Sequence, residues 1–485
     1  MSVLTNIQPE LVFKYFEEIS KIPRGSGNEK GISDYLVSFA KDLGLEVIQD
    51  EALNVVIKKP ASKGYENAPG VILQGHMDMV CEKNKDTEHD FTKDPIELRV
   101  DGDYIYANGT TLGSDNGIAV AYGMAILADD TIEHPAIEVL LTSDEETGMT
   151  GAMNISPDHI DGKILLNLDS EEEGELLVSC AGGVRSKAAM NINWEAKEEE
   201  HVTLEVKLRG LMGGHSGMEI NKGRGNSNKL MARLLKDLYD NYDIRLVHLE
   251  GGSKDNAIPR EADAVITVSK GQVEDIKAEI ARYDGIFKHE FKVQDPNVTL
   301  EILECDDAKK TFDKKCTENV INLLYLYPNG INTMSKSMHG LVESSTNIGV
   351  VTTSEDRVRI DSAVRSSVAT LKDEIVLRSK TITEILGGSF TTNAEYPEWE
   401  YNSESKIREI CKDVYKEMYG EEPKIVAIHA GVECGLFKER LGDLDMISFG
   451  PNLYDVHTPQ EHMSIESVQH VWEYLLNILK AIKEY

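Results

Sequence analysis

Seven acidic and imidazole residues stand out by where they fall in the sequence. His76 and Asp78 follow the apolar run "VILQG". Asp115 lies in "GSDNG", Glu145 and Glu146 follow "AIEVLLTSD", Asp169 ends "KILLNLD", and His457 lies in "DVHTPQEHMS" after "DMISFG". Each is ordinary alone: an H-x-D pair suits a loop, an Asp before a helix suits a cap, and paired glutamates suit a solvated surface. Together they are different, because no lysine or arginine stands among them. Clustered carboxylates repel one another, and a divalent cation removes that cost. Two imidazoles with Asp and Glu suit zinc or a similar transition metal better than calcium or magnesium, which prefer all-oxygen sites. One histidine and one carboxylate per metal, with a third carboxylate bridging, would hold two ions about 3.5–4 Å apart. A general base is still needed, and one member of the Glu145–Glu146 pair can serve, since neighbours in extended chain point opposite ways.

Other catalytic signatures fail. "GHSGM" (214–218) lacks the last glycine of a G-x-S-x-G elbow. His289-Glu290 opens like H-E-x-x-H, but Val293 stands where the second histidine belongs. No phosphate-binding G-x-x-x-x-G-K-[ST] loop occurs.

The elements that must position these residues alternate in type. Helical spacing predicts helices over 9–20, 29–43 and 116–130. Strand-length apolar runs occur at 45–50, 54–59, 70–75, 136–143 and 163–169. Such alternation predicts an α/β domain with an open mixed sheet. In open α/β sheets sites form at the carboxyl ends of strands, so these ends would converge. After "SCAGGVRS", with Gly182 and Gly183 read as a hinge, the texture changes. Strands at 202–209, 243–250, 261–269 and 298–304 with helices at 226–240 and 273–290 give the ferredoxin-like order. Further elements follow: helices at 313–326 and 371–386, and strands at 346–353, 356–364 and 389–395, so the order looks used more than once. The α/β texture returns near Tyr396. The expected layout is a catalytic domain over 1–182 and 396–485, split by an inserted α+β domain over 183–395.

At 485 residues the chain is too long for one core. A net charge of −33 argues against a nucleic-acid partner. No apolar run reaches a membrane span, and the charged, helix-patterned N-terminus is not a signal peptide, so a cytoplasmic location is expected. The six scattered cysteines form no C-x-x-C pair and predict reduced thiols. Cys81 and Cys434, near the motifs, read as small buried fillers.

The motifs "GHMDMV", "GSDNGIA", "TSDEETGMTGA", "LNLDSEEEGEL", "GGHSG", "DNAIPREA", "HAGVECGLF" and "VHTPQEHMS" run in order along nearly the whole chain. They closely resemble the aminoacyl-histidine dipeptidases, dinuclear zinc exopeptidases related to the aminoacylases and carnosinases. The resemblance implies that His76 and Asp169 hold one metal, Glu146 and His457 the other, and that Asp115 bridges. It implies that Asp78 orients His76, and that Glu145 is the general base acting on a metal-bridging water. The inserted domain would be a lid. In it His215 resembles the lid histidine that helps polarise the scissile carbonyl, often across a dimer interface. Asn256, Arg365 and Gly431 match positions that grip the dipeptide and its carboxylate, for which an arginine fork is suited. His429 reads as a core or rim residue.

The resemblance implies a metallo-dipeptidase preferring Xaa-His dipeptides, with two divalent ions: zinc, or alternatively cobalt or manganese. A small peptide is the expected partner, with no nucleic acid and no membrane, and a homodimer through the lid is expected from the family. A tripeptidase or N-acyl amino acid deacylase of the same clan is the nearest alternative. A non-catalytic metal-binding or scaffold protein is the alternative of another class, and Glu145, which need not bind metal, speaks against it.

Overall fold

The computed structural model describes residues 3–485, with the backbone alone for Glu484. Contacts divide the chain into two units. One comprises the residues up to Ser179, Tyr401–Ala427 and Val432–Tyr485; the other comprises Cys180–Glu400 with Ile428–Gly431.

The first unit is built on an eight-stranded mixed sheet. Across it run Glu46–Gln49, Val55–Lys59, Ile137–Thr142, Val71–His76, Ile164–Asn167, Asp445–Ser448, Glu175–Cys180 and Lys424–Ile428. The four central members, Ile137–Thr142, Val71–His76, Ile164–Asn167 and Asp445–Ser448, are parallel. Val71–His76 and Ile137–Thr142 are buried along their whole length, which is why they read as continuous apolar runs and not as alternation. Parallel strands end on the same edge, so the residues that follow them collect there. The helix Ser114–Ala128 is buried along almost all of its length. Its small residues let it lie close to the sheet: a Cβ on Gly75 would meet Ala119 and Asn116. Glu10–Ile19 turns Val12, Phe13, Tyr15, Phe16 and Ile19 inward, as its spacing predicts.

A small four-stranded sheet escaped the sequence reading. It joins the hairpin Leu98–Asp101 and Tyr104–Ala107 to Leu453–Tyr454 and His462–Ser464. Its strands are only two to four residues long and Leu98–Asp101 is mostly exposed, so periodicity is weak. The usable signal was Gly102, at φ 62°, turning a two-residue hairpin. This sheet anchors the loop that carries His457.

The second unit contains a nine-stranded sheet. Four neighbours are Thr299–Glu304, His201–Arg209, Ala262–Ser269 and Ile244–Gly251. With helices Ser227–Asn241 and Val273–Glu290 they follow the βαββαβ chain order, with the fourth strand beside the first and the third between first and second. The same arrangement recurs in Gly182–Asn191, Val342–Thr353, Arg357–Ser366 and Ser389–Tyr396 with helices Lys314–Leu326 and Ala369–Ile385. The first set is inserted after the first strand of the second. The two sets meet at a single strand pair, Gly251 opposite Val351.

Gly182 and Gly183 are not a hinge. They lie in the strand Gly182–Asn191, opposite Ser366 and Arg365. They are glycines because Glu398 and Tyr396 crowd them: a Cβ on Gly182 would stand 2.6 Å from the Glu398 backbone, and one on Gly183 would strike the Tyr396 hydroxyl. Among the described residues no disulfide links any of the six cysteines; Cys81 is exposed and not a buried filler, while Cys434 is buried. Among the described residues no helix is long and apolar enough to cross a membrane.

Candidate metal centre

His76 closes its strand, Glu145 and Glu146 open a short helical turn after Ile137–Thr142, and Asp169 follows Ile164–Asn167. Asp115 enters from the start of the helix Ser114–Ala128. It does not serve as a cap: its two carboxylate oxygens face His76 and His457. The Asp115–Asn116 peptide is cis. His457, at φ 61°, comes from the loop before His462–Ser464.

These side chains meet in two triads that share one carboxylate. His76 Nε2 lies 3.1 Å from Asp115 Oδ1 and 3.4 Å from Asp169 Oδ1. His457 Nε2 lies 3.1 Å from Asp115 Oδ2 and 3.1 Å from Glu146. Each oxygen of Asp115 therefore serves a different imidazole. Asp169 Oδ1 is buried, and its one polar approach among the described residues is the 3.4 Å contact with His76 Nε2. A tetrahedron with zinc–ligand bonds of about 2.0–2.1 Å has edges of about 3.3–3.4 Å, so these spacings fit ligand atoms around a cation. His76, Asp115 and Asp169 form one possible cation group and Asp115, Glu146 and His457 another; Glu145 also comes close to His76 and Glu146.

The electrostatics point the same way. Burial works against a charged His76, yet Asp169, Asp115 and Asp78 push its pKa well above the ordinary range. Hydrogen bonds to Asp115 and Glu146 push His457 up to about 10. Burial drives Glu145 up to about 9, with Asp169, Glu433 and Glu146 adding to it and His76 opposing. Burial also lifts Asp169 to about 6, and Glu171, two residues on, to about 7. Carboxylates are crowded here beyond what the two imidazoles neutralise. The donor set, the spacings and the surplus of buried carboxylates together fit a pair of divalent cations.

Asp78 does not join the triads. Its Oδ1 lies 3.2 Å from His76 Nδ1 and accepts the Glu145 N–H at 3.1 Å. Its Oδ2 accepts from Ser26 Oγ at 2.8 Å and the Glu146 N–H at 3.3 Å. It thus ties His76 to the segment carrying both glutamates. Burial pushes its carboxyl up, but His76, Ser26 and the Glu145 N–H outweigh burial and hold it below the usual range.

Glu433 is a buried residue the sequence reading missed, although it stands in the quoted "HAGVECGLF". It accepts from Gln74 Nε2 at 2.7 Å and Thr142 Oγ1 at 2.9 Å, and its Oε1 has no hydrogen-bond partner. Burial pushes it up to about 8.

The other four predicted residues lie in the second unit. Gly214–His215 pairs with Ala257–Ile258, and the Asn256 carbonyl accepts the Ser216 N–H at 2.9 Å, so the His215 and Asn256 loops form one ribbon. His215 Nδ1 accepts the Met218 N–H at 3.0 Å, which leaves the ring proton on Nε2. That Nε2 faces Arg365 Nη2 at 3.5 Å, and arginine is donor-only. Two donors therefore converge without an acceptor. Arg365 is 6% exposed, donates Nη1 to Tyr396 Oη at 2.8 Å, and leaves a buried Nε unpartnered. It makes no ion pair among the described residues; Asp361, its nearest candidate in sequence, pairs with Arg359. Gly431 packs on the Tyr396 ring, 2.6 Å from where a Cβ would stand. His429, beside it, is buried with Nε2 on Ser345 Oγ at 2.7 Å and Nδ1 unpartnered; burial, then Arg365 and His215, lower its pKa to about 3.

Two histidine–carboxylate triads sharing one aspartate, gathered at the carboxyl edge of an α/β sheet, define a class of protein built to hold a pair of cations. Residues 72–481 match the model of peptidase family M20/M25/M40, and the chain belongs to that family. It is 40% identical over 482 residues, 99% of both chains, to the cytosol non-specific dipeptidase of Escherichia coli K12. Its structure superposes with a TM-score of 0.96 on the aminoacylhistidine dipeptidase of Vibrio alginolyticus, at 40% identity over 99% of this chain and 98% of that one. An aminopeptidase from Bacillus cereus shares the fold at a TM-score of 0.57 and 16% identity, over 98% of this chain and 99% of that one. The resemblance read from the motifs and the α/β fold class are borne out, and the chain is a peptidase.

Proposed function

We propose that this peptidase is a metal-dependent dipeptidase acting on Xaa-His among other dipeptides. Asp115, whose two oxygens face two different histidines, carries the dinuclear reading. His76 and Asp169 would hold one ion, Glu146 and His457 the other, with Asp115 shared. Zinc suits these nitrogen and carboxylate donors; cobalt and manganese suit them too. When bound, such ions supply Lewis acidity that polarises a carbonyl and makes water a nucleophile at neutral pH. Glu145 takes a proton from the attacking water and delivers it to the leaving amine. Asp78 holds His76 and the Glu145 backbone in register for that transfer.

The acceptor missing between His215 and Arg365 is supplied by the substrate. We assign Arg365, Asn256 and Gly431 to the peptide's C-terminal carboxylate, and His215 to the scissile carbonyl. A buried guanidinium without a carboxylate partner is costly, and a substrate carboxylate would compensate it. A dipeptide puts a free carboxylate one residue from the scissile bond. The names of the two relatives support dipeptides, and one supports C-terminal histidine. A cytoplasmic setting follows the Escherichia coli relative's name, and a homodimer through the second unit follows the family resemblance.

The test is a substrate panel on zinc-loaded protein before and after chelation. Turnover of Xaa-His dipeptides that chelation abolishes is expected. Equal or better turnover of tripeptides or N-acyl amino acids would sink the dipeptidase reading.

A further inference from the structure

We infer that Glu461 and Arg24 are positioning residues for the cation pair, bracing the Leu112–Asp115 turn from opposite sides and so fixing Asp115 between His76 and His457. The inference rests on the dinuclear reading above. Glu461 is 2% exposed. Its Oε2 accepts the N–H groups of Leu112 at 2.7 Å and Gly113 at 3.0 Å. Its Oε1 accepts from Ser114 N at 2.8 Å, Ser114 Oγ at 2.6 Å and Asp115 N at 3.4 Å. One carboxylate thus gathers four consecutive amides, ending at Asp115.

Arg24 works from the other side. Its Nη1 donates to the carbonyls of Met77 and Asp78, each at 3.1 Å, and its Nη2 to the Gly113 carbonyl at 2.5 Å. Gly113 is therefore held by its N–H through Glu461 and by its C=O through Arg24. Its φ of 70° suits glycine, and a Cβ there would stand 2.6 Å from Arg24 Nη2 and 2.7 Å from Met79 Sδ. No other residue fits between the two charges.

The brace reaches ligands of both cation positions. Arg24 grips the two carbonyls that follow His76. Glu461 stands four residues after His457, in a turn closed by its own N–H to the Thr458 carbonyl at 3.0 Å. Asp115 is the residue between. Stability alone does not call for this construction. A buried carboxylate and a buried guanidinium, neither in an ion pair among the described residues, are costly to desolvate. A glutamine at 461 would turn N–H donors toward N–H donors. The rival account is that Glu461 only satisfies the free amides at the start of the helix Ser114–Ala128.

Cobalt(II) binding separates the two accounts. Metal-free wild type, Glu461→Gln and Ser114→Ala are titrated with cobalt, reading affinity by chelator competition and the visible absorption envelope, with thermal unfolding of each metal-free protein alongside. We expect Glu461→Gln to bind cobalt about ten- to a hundredfold more weakly, the range for residues that orient ligands, with an altered envelope. Ser114→Ala should show a smaller loss in the same direction. Lower melting with unchanged cobalt affinity and spectrum would make Glu461 a helix cap only and overturn the inference. If Glu461→Gln does not fold, unchanged cobalt binding by folded Ser114→Ala overturns it. Wild type that binds no cobalt would instead remove the dinuclear reading itself.

Discussion

The two units carry opposite electrostatic problems. In the first, burial pushes Glu145, Asp169, Glu171 and Glu433 up and neighbouring carboxylates add to it, while the carboxylates facing His76 and His457 push those imidazoles up. In the second, donors converge without acceptors. Among the described residues Arg365 is buried without a carboxylate partner, and His215 and His429 are pushed down, by burial first and by Arg365 next. A cation answers the first problem and an anion the second.

Breaking the first unit should have the largest effect. Asp115→Ala removes the shared ligand and should cost both cations, with an affinity loss beyond the roughly hundredfold that a residue behind the ligands commands. Metal analysis after dialysis reads it. Next, Glu145→Gln should lower kcat about 10²–10⁴-fold while both ions stay bound. Because Glu145 also approaches His76 and Glu146, loss of metal in this variant would make it a ligand and not the base.

The second unit should respond differently. Arg365→Met should raise KM for dipeptides about ten- to a hundredfold, from charged hydrogen bonds worth about 1.5–3 kcal/mol. Metal content should be unchanged, and melting temperature unchanged or higher, because an unpaired buried cation is gone. A fall in melting temperature with KM intact would make Arg365 structural and end the contrast between the units.

The smallest effect concerns His429, neutral in the fold with a pKa lowered from 6.5 to about 3. The unfolded chain takes up its proton as pH falls below about 6.5, and the folded chain does not until about 3. Stability held above 6.5 is therefore lost progressively across that window. His429→Gln should flatten this part of the stability–pH curve measured by denaturant titration. An identical slope in wild type and variant would contradict it.

Much of this contrast was legible in the residues. His76, Glu146 and Asp169 announced themselves because parallel strands put their carboxyl ends on one edge, so a strand-end pattern is also a spatial one; Asp115 and His457 reach the same place from a helix start and from the loop of the small sheet. The convergence of His215 with Arg365 was not legible by spacing: it depends on a β-ribbon, a tautomer and the meeting of two ferredoxin-like sets. Glu461 and Arg24 were harder still. Each bonds backbone, and backbone acceptors and donors leave no mark in sequence. Gly182 and Gly183 misled for a related reason. A glycine needed for close approach to Tyr396 and Glu398 reads the same as one needed for a bend.

Calorimetric titration of metal-free chain with zinc tests the central claim, that one carboxylate joins two cation positions. The geometry predicts two equivalents per chain for wild type and, for Asp115→Ala, loss of tight binding at both. A single equivalent in wild type, or two tight equivalents retained in Asp115→Ala, would contradict it.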